Sequence, residues 1–249
     1  MLTEERFARI LSILESMGSL TVQQLMTELD ASESTIRRDL TALDAKGQLT
    51  KVHGGAILKA TGYNTIDDNV ISRKGMNAEA KEVIAKYAAN LIEPGDFVYL
   101  DAGTTTERMI DFITCKQAVF VTNAISHAKK LSELGFTVYI LGGEFKAVTE
   151  AIVGEEAVTT LDKYNFTKGF WGANGVNMQK GFSTPEIKEA LVKKKSMENC
   201  KDRYILCDET KFSKISSVTF AAFTDATVIT TGLKQKAFLS CKNVCNITT

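Results

Sequence analysis

Apolar residues recur at helical spacing through the first fifty positions. Phe7, Ile10, Leu11, Ile13, Leu14 and Met17 predict a helix over residues 4–17, with Thr3 as N-cap and Gly18 as its stop. Val22, Leu25, Met26 and Leu29 mark a short second helix starting at Thr21, and Asp30-Ala31 is a tight break. Ser32 then caps a third helix, 33–46, ended by Gly47. Residues 48–57 read as two short extended pieces around Gly54-Gly55, the pattern of a β-wing. Residues 58–78 are polar and aperiodic, a partly ordered linker. From Ala78 the rhythm changes. Helix 79–92 leads to strand 97–100, and a second helix to strand 118–121; helix 124–134 precedes strand 137–141. Further strands are expected near 167–172, 203–207 and 227–231, with helices near 154–161 and 185–199. Strands alternating with helices imply a parallel sheet covered on both faces. The expected organisation is a winged helix-turn-helix over 1–57, a linker over 58–78 and an α/β domain over 79–249.

Composition adds exclusions. The chain has 249 residues, 44% hydrophobic and 24% charged, with zero formal net charge, which is ordinary globular usage. No apolar run reaches the ~18–20 residues of a membrane span, and the N-terminus lacks a signal peptide's basic start and apolar core. A cytoplasmic protein with no membrane partner is expected. The cysteines Cys115, Cys200, Cys207, Cys241 and Cys245 are odd in number and form no C-x-x-C pair, so neither a disulfide framework nor a structural zinc site is expected. With only His53 and His127, a histidine-rich metal site is excluded. No metal and no cofactor motif is found.

In the third helix, Ile36, Leu40 and Leu43 face one core. The opposite face carries Ser34, Arg38 and Thr41, flanked by Thr35 and Arg37. Guanidinium groups read guanine edges, and hydroxyls reach bases or phosphates, so this face suits a major groove. Lys51 and His53 on the wing would meet the backbone or minor groove. Charge argues against it: residues 1–57 hold six Lys/Arg against eight Asp/Glu, without the bulk basic footprint of a nucleic-acid binder. A protein-interaction winged helix is the competing reading.

In the second part, Asp101-Ala102-Gly103-Thr104-Thr105-Thr106 follows a strand and opens a helix. Glycine, three hydroxyls and free N–H groups suit a phosphate; the same pattern is also that of a capped helix start. It is neither a P-loop nor a dinucleotide fingerprint. Thr122-Asn123, Gly142-Gly143 and Gly172-Ala173-Asn174-Gly175 also stand at strand ends, where open α/β sheets bind ligands. Thr184 and Pro185 read as N-cap and first residue of the next helix. On it, Lys193-Lys194-Lys195 reads as a solvated face and Lys188 as the better ligand candidate. Asp208 and Lys211 would reach a sugar hydroxyl and a phosphate.

The runs Arg6-Phe7…Ile10-Leu11, Leu20-Thr21-Val22-Gln23-Gln24-Leu25, Ser32-Glu33-Ser34-Thr35-Ile36-Arg37-Arg38-Asp39-Leu40 and Val52-His53-Gly54-Gly55-Ala56 closely resemble the DeoR family of bacterial transcription regulators. The likeness spans nearly the whole chain. It implies a sensor domain similar in fold to ribose-5-phosphate isomerase and CoA-transferase-like proteins. It also implies binding of operator double-stranded DNA as a homodimer or homotetramer, and release by a phosphorylated sugar. Positions matching the family's effector site are Asp101, Gly103, Thr104, Thr105, Thr106, Asn123, Gly142, Gly143, Glu186, Lys188, Asp208 and Lys211. Many members carry Arg shortly after the Gly-Gly pair and Ser further on; here Lys146 and Ala151 stand there, and lysine is a point charge rather than a fork. Lys146…Thr149-Glu150-Ala151…Gly154 together with Gly172–Gly175 looks like the fructose-operon repressor subgroup, which points to a fructose phosphate. The expected protein is a repressor rather than an enzyme. The alternative is a sugar-phosphate isomerase-like enzyme with an appended winged helix, for which Asp101, Glu186 and Asp208 are the available bases.

Overall fold

The computed structural model describes residues 3–17, 19–46, 48–58, 63–64 and 70–248. Their contacts divide into two units, Met1–Gly62 with Lys234–Cys241, and Tyr63–Leu233 with Lys242–Thr249.

The first unit runs α1 (Thr3–Met17), β1 (Ser19–Thr21), α2 (Val22–Leu29), α3 (Glu33–Ala45), β2 (Leu49–Val52) and β3 (Gly55–Leu58). Thr3 is already helical, so it is the first residue of α1 and not the cap before it. Thr21 caps α2 in a reciprocal box with Gln24, and Ser32 caps α3 through the Thr35 N–H. Asp30 breaks the chain between them in the left-handed region, φ 46°. Apolar stripes of all three helices meet in one core containing Ile10, Leu14, Leu25, Ile36, Leu40 and Leu43. The strands pair antiparallel in the order β1-β3-β2. The wing turns at His53-Gly54, and Gly55 is already paired with Thr21 in the sheet. The segment Lys234–Cys241, with one helical turn at Lys236–Leu239, belongs to this unit and packs on α1.

The second unit continues with β4 (Tyr63–Asn64), α4 (Val70–Gly75), α5 (Ala78–Ala89), β5 (Phe97–Leu100), α6 (Thr104–Met109), β6 (Val119–Thr122), α7 (Ile125–Glu133) and β7 (Thr137–Ile140). A hairpin of β8 (Glu144–Lys146) and β9 (Ala151–Val153) follows, then α8 (Glu155–Leu161) and β10 (Phe166–Trp171). Next come β11 (Gly175–Asn177), β12 (Gly181–Thr184), α9 (Ile187–Glu198), β13 (Cys200–Leu206), β14 (Ile215–Ser216), β15 (Val218–Ala221), β16 (Thr227–Thr231) and β17 (Val244–Ile247). Within the stretch read as a linker, Leu58 ends β3, β4 pairs with β14 and α4 forms a helix; residues 59–62 and 65–69 lie outside the described residues.

The main sheet is parallel, in the order β17-β16-β13-β10-β5-β6-β7. From β5 the chain winds one way through β6 and β7; β10 then returns to the other side of β5 and winds outward through β13. The order therefore reverses between β5 and β10, the place where such sheets open a crevice at their carboxyl ends. Ile84, Ala85 and Ala88 of α5, Met109 of α6 and Leu131 of α7 pack with Val98, Leu100, Phe120 and Phe170 of the sheet. α9 packs against β10 and β13 and against the small sheet β11-β12-β15.

Candidate functional site

The exposed side of α3 presents Ser34, Arg37, Arg38 and Thr41, with Thr35 half-buried. Arg37 is held by Glu33 at 2.7 Å, one turn earlier, whereas Arg38 makes no ion pair among the described residues. Thr41 donates to the Arg37 carbonyl at 2.8 Å and accepts the Lys51 ammonium at 2.8 Å. The Lys51 N–H also meets Asp44 Oδ1 at 3.2 Å. The wing strand is thus tied to the second half of α3, and Lys51 adds its charge to the α3 surface. His53 is exposed at the tip of the wing turn. Asp39 is not part of this face. It is buried and takes both ends of the Arg6 guanidinium, Nη2 to Oδ1 at 3.0 Å, which fixes α3 against α1. Its place beside Leu40 on the inner side of α3 is the sequence signal for that role.

In the second unit a cavity opens at the reversal point. It is lined from β5 by Ala102, Gly103, Thr104, Thr105 and Thr106, from β10 by Gly172, Ala173 and Asn174, and from β13 by Cys207, Asp208 and Lys211. Arg73, Met76, Asn77 and Lys81 close it from α4 and α5, and Thr149, Glu189 and Lys193 from the opposite side. Five of the residues expected from sequence, Gly103 through Thr106 and Lys211, therefore share a cavity with Asp208. Asp101 sits beneath it.

The floor is a buried charge network. Lys193 donates to Asp101 Oδ2 and to the Gly172 carbonyl at 3.3 Å, and the Gly172 N–H donates to the same carboxylate at 3.2 Å. Burial pushes the Asp101 carboxyl up from its ordinary value, and Lys193 and Gly172 pull it back down. Glu189 accepts from Thr149 and from Lys146 at 3.0 Å. Burial opposes its ionisation, but Lys193, Thr149 and Lys146 together hold its carboxyl below the usual carboxylate range. Thr106 donates to the Asp101 carbonyl at 2.7 Å and stands 3.1 Å from His127 Nε2. Burial and the nearby Lys130 and Lys74 lower His127 to about 3, so the ring is neutral.

Several expected residues lie away from the cavity lining, for a topological reason. Asn123, Gly142 and Gly143 follow β6 and β7, on the far side of β5 from the reversal point. Asn123 instead accepts the Ala102 N–H at 2.9 Å and donates to the Ile152 carbonyl at 3.2 Å, bracing the β5 turn. Gly143 has φ 141°, and a Cβ there would stand 2.6 Å from the Val153 carbonyl oxygen. Lys146 reaches the site through Glu189. Glu186, not Thr184, caps α9: its carboxylate accepts the N–H groups of Lys188 and Glu189 at 2.9 Å each, and Thr184 lies within β12. Lys188 is exposed and paired with Glu144. The lysine triple is not one solvated face. Lys193 turns inward to Asp101, while Lys194 meets Glu198 and Lys195 meets Asp162. Arg73, Lys81, Glu189 and Lys193 carry no local motif that marks them as site residues, because they come from three separate helices, α4, α5 and α9.

A winged helix with a basic, hydroxyl-bearing α3 surface, joined to a parallel α/β unit with a polar cavity at its switch point, defines a ligand-responsive DNA-binding regulator. Residues 6–61 match the DeoR-like helix-turn-helix domain and residues 76–233 match the DeoR C terminal sensor domain. The chain belongs to the DeoR family of transcriptional regulators. It is 42% identical over 239 residues to the uncharacterized HTH-type transcriptional regulator FruR of Bacillus subtilis (strain 168), covering 96% of this chain and 94% of that one. It is 34% identical over 231 residues to the lactose phosphotransferase system repressor of Staphylococcus aureus (strain NCTC 8325 / PS 47), with 90% of each covered. Among solved structures, ribose 5-phosphate isomerase A of Methanocaldococcus jannaschii overlays 55% of each chain at a TM-score of 0.41 and 16% identity. No helix among the described residues is long and apolar enough to cross a membrane.

Proposed function

We propose that this protein represses a sugar-utilisation operon and is released from its operator by a phosphorylated sugar. The cavity at the switch point supports this reading most directly: Arg73, Lys81 and Lys211, three cations in no ion pair among the described residues, line it with Thr104, Thr105 and Thr106, and Asn174 and Glu189 line it as well. A phosphate fits the first group and sugar hydroxyls the second. The relative named as lactose phosphotransferase system repressor, with the likeness of Lys146…Gly154 and Gly172–Gly175 to the fructose-operon subgroup, makes a ketose or hexose phosphate the first class to try, with fructose 1-phosphate leading.

Ser34, Thr35, Arg37, Arg38, Thr41, Lys51 and His53 would meet the operator. Each α3 offers few cations, so affinity comes from two or four copies on repeated half-sites. Asp101, Asn123, Gly142, Gly143, Lys146 and Glu186 would act from behind the cavity, by holding its walls. The sensor has two arrangements, and the effector favours the one whose paired winged helices miss their half-sites. A purely regulatory role suits most of the acids of the site: Asp101 and Glu189 are each engaged by lysine and Glu186 caps α9, which leaves Asp208 as the one candidate base lining the cavity.

The test is the melting temperature of the purified protein against a panel of sugar phosphates and their free sugars. A ligand at 100 times its Kd stabilises by about 2.7 kcal/mol, which is a rise of several degrees. A shift with one phosphate and not with its parent sugar supports the reading. No shift with any phosphate removes the effector assignment and leaves the DNA-binding role standing.

A further inference from the structure

The cations Arg73, Lys81 and Lys211 line the cavity together and outnumber the one acid beside them, Asp208. Lys81 is 5% exposed, and its ammonium donates to the main-chain carbonyl of Arg73, in the last turn of α4. Among the described residues, none of Arg73, Lys81, Arg108 and Lys211 is in an ion pair. The buried Nε–H of Arg73 has no acceptor among the described residues. The charged groups that face Lys81 are Asp208, which attracts it, and Lys211, Arg73 and Arg108, which repel it. Asp208 forms no ion pair among the described residues; its Oδ1 accepts from the Thr210 N–H at 3.0 Å and from the Thr210 hydroxyl. Buried charges are retained where a partner compensates them, so this cluster is built for an anion.

We propose that Lys81 and Arg73 form an anion latch: a phosphomonoester dianion entering the cavity takes the Lys81 ammonium away from the Arg73 carbonyl and accepts the Arg73 Nε–H. This rests on the phosphate reading above and deepens it, naming the charge state selected and the element that responds. That element is α4, the first described helix after the wing strand β3. It is otherwise tied to the sensor by the Val70 N–H to the Val148 carbonyl at 3.2 Å, by Lys74 to Glu107 at 3.0 Å and by Arg108 to the Lys74 carbonyl at 3.3 Å. Filling the cavity therefore removes one of the attachments of the helix that follows the DNA-reading module in the chain. Burial, with the three surrounding cations, lowers Lys81 to about 8. A bound dianion restores its proton, so binding above that pH takes up protons. A phosphomonoester is already dianionic there, its second pKa being about 6.

The test uses the full chain, with inorganic phosphate and fructose 1-phosphate as probes, by calorimetry at pH 8.5 in buffers of different ionisation enthalpy and by amide exchange over residues 70–77. Wild type is expected to bind with uptake of a fraction of a proton and with faster exchange at the end of α4. Lys81→Arg should bind without proton uptake. Lys81→Met, matched in length and apolar, should bind at least tenfold more weakly; if it fails to fold, the comparison of wild type with Lys81→Arg decides alone. Wild-type-like binding by Lys81→Met, binding by wild type without proton uptake, or unchanged exchange over 70–77 each overturns the latch while leaving the phosphate reading intact. No binding of either probe or of any sugar phosphate by wild type overturns both.

Discussion

Lys193 and Asp101, ninety-two positions apart, form a buried ion pair beneath the cavity. Lys194 and Lys195, its immediate neighbours in the chain, meet other acids, Glu198 on the same helix and Asp162 at the end of α8. The pair joins the end of β5 to α9, and through the Gly172 carbonyl and N–H it also fixes the turn after β10. The turns that follow the two strands flanking the switch point are tied to α9 by one ammonium and one carboxylate.

Removing one partner leaves the other charged and buried. Lys193→Met should therefore destabilise the sensor unit by about 3–5 kcal/mol, seen as an earlier denaturation midpoint. The double variant Lys193→Met with Asp101→Asn should recover much of that loss. If the double variant is as unstable as the single one, the pair is not what holds the floor.

Arg38 is exposed and without an ion pair, so its removal should spare the fold. Arg38→Ala is expected to weaken operator binding by about 1–3 kcal/mol per half-site with an unchanged melting curve. Lys51→Ala should instead weaken binding to all sequences and lower the salt slope by about 1. Fluorescence anisotropy over a salt series separates the two effects; an Arg38→Ala protein that binds operator like wild type would remove α3 as the reading helix.

His127 gives the sensor unit an acid-sensitive term. Its folded value of about 3 lies below the unfolded 6.5, so between those limits the unfolded chain binds the extra proton. The stabilisation is therefore complete above pH 6.5 and is lost as pH falls toward 3, on the order of 1 kcal/mol per pH unit. Urea melts of wild type and His127→Gln between pH 7 and pH 4 should converge as the pH drops. Parallel curves would mean that the ring has access to solvent protons in the folded state.

The two glycines of the wing have different tasks. Gly54 stands at φ 83° with open space around it, so Gly54→Ala should cost about 1–2 kcal/mol from the backbone alone. At Gly55 a Cβ would lie 2.0 Å from the Leu20 carbonyl oxygen, so alanine cannot fit without parting β1 from β3. Gly55→Ala is expected to lower the stability of the first unit far more than Gly54→Ala, by calorimetry of the full chain. Equal losses would contradict the close approach of the two strands.

Much of this protein was written locally and could be read locally. The helix-turn-helix follows from apolar spacing, the caps Thr21 and Ser32 and the break at Asp30, because backbone hydrogen bonding and one-sided burial act over a few residues. The strands of the main sheet were legible for the same reason, as apolar runs between helical segments, although Thr184 was misread as a cap because Glu186, two residues on, offered the stronger acceptor. What the chain could not state was the order of those strands. That order places the ends of β5, β10 and β13 side by side and sets those of β6 and β7 apart, so Asp208 and Lys211 line the cavity while Asn123 and Gly142-Gly143 do not. Nor could a run of three lysines reveal which one turns inward. Lys193 is buried because tertiary packing brings Asp101 to it, and a charge leaves water only where an opposite charge and hydrogen bonds are waiting.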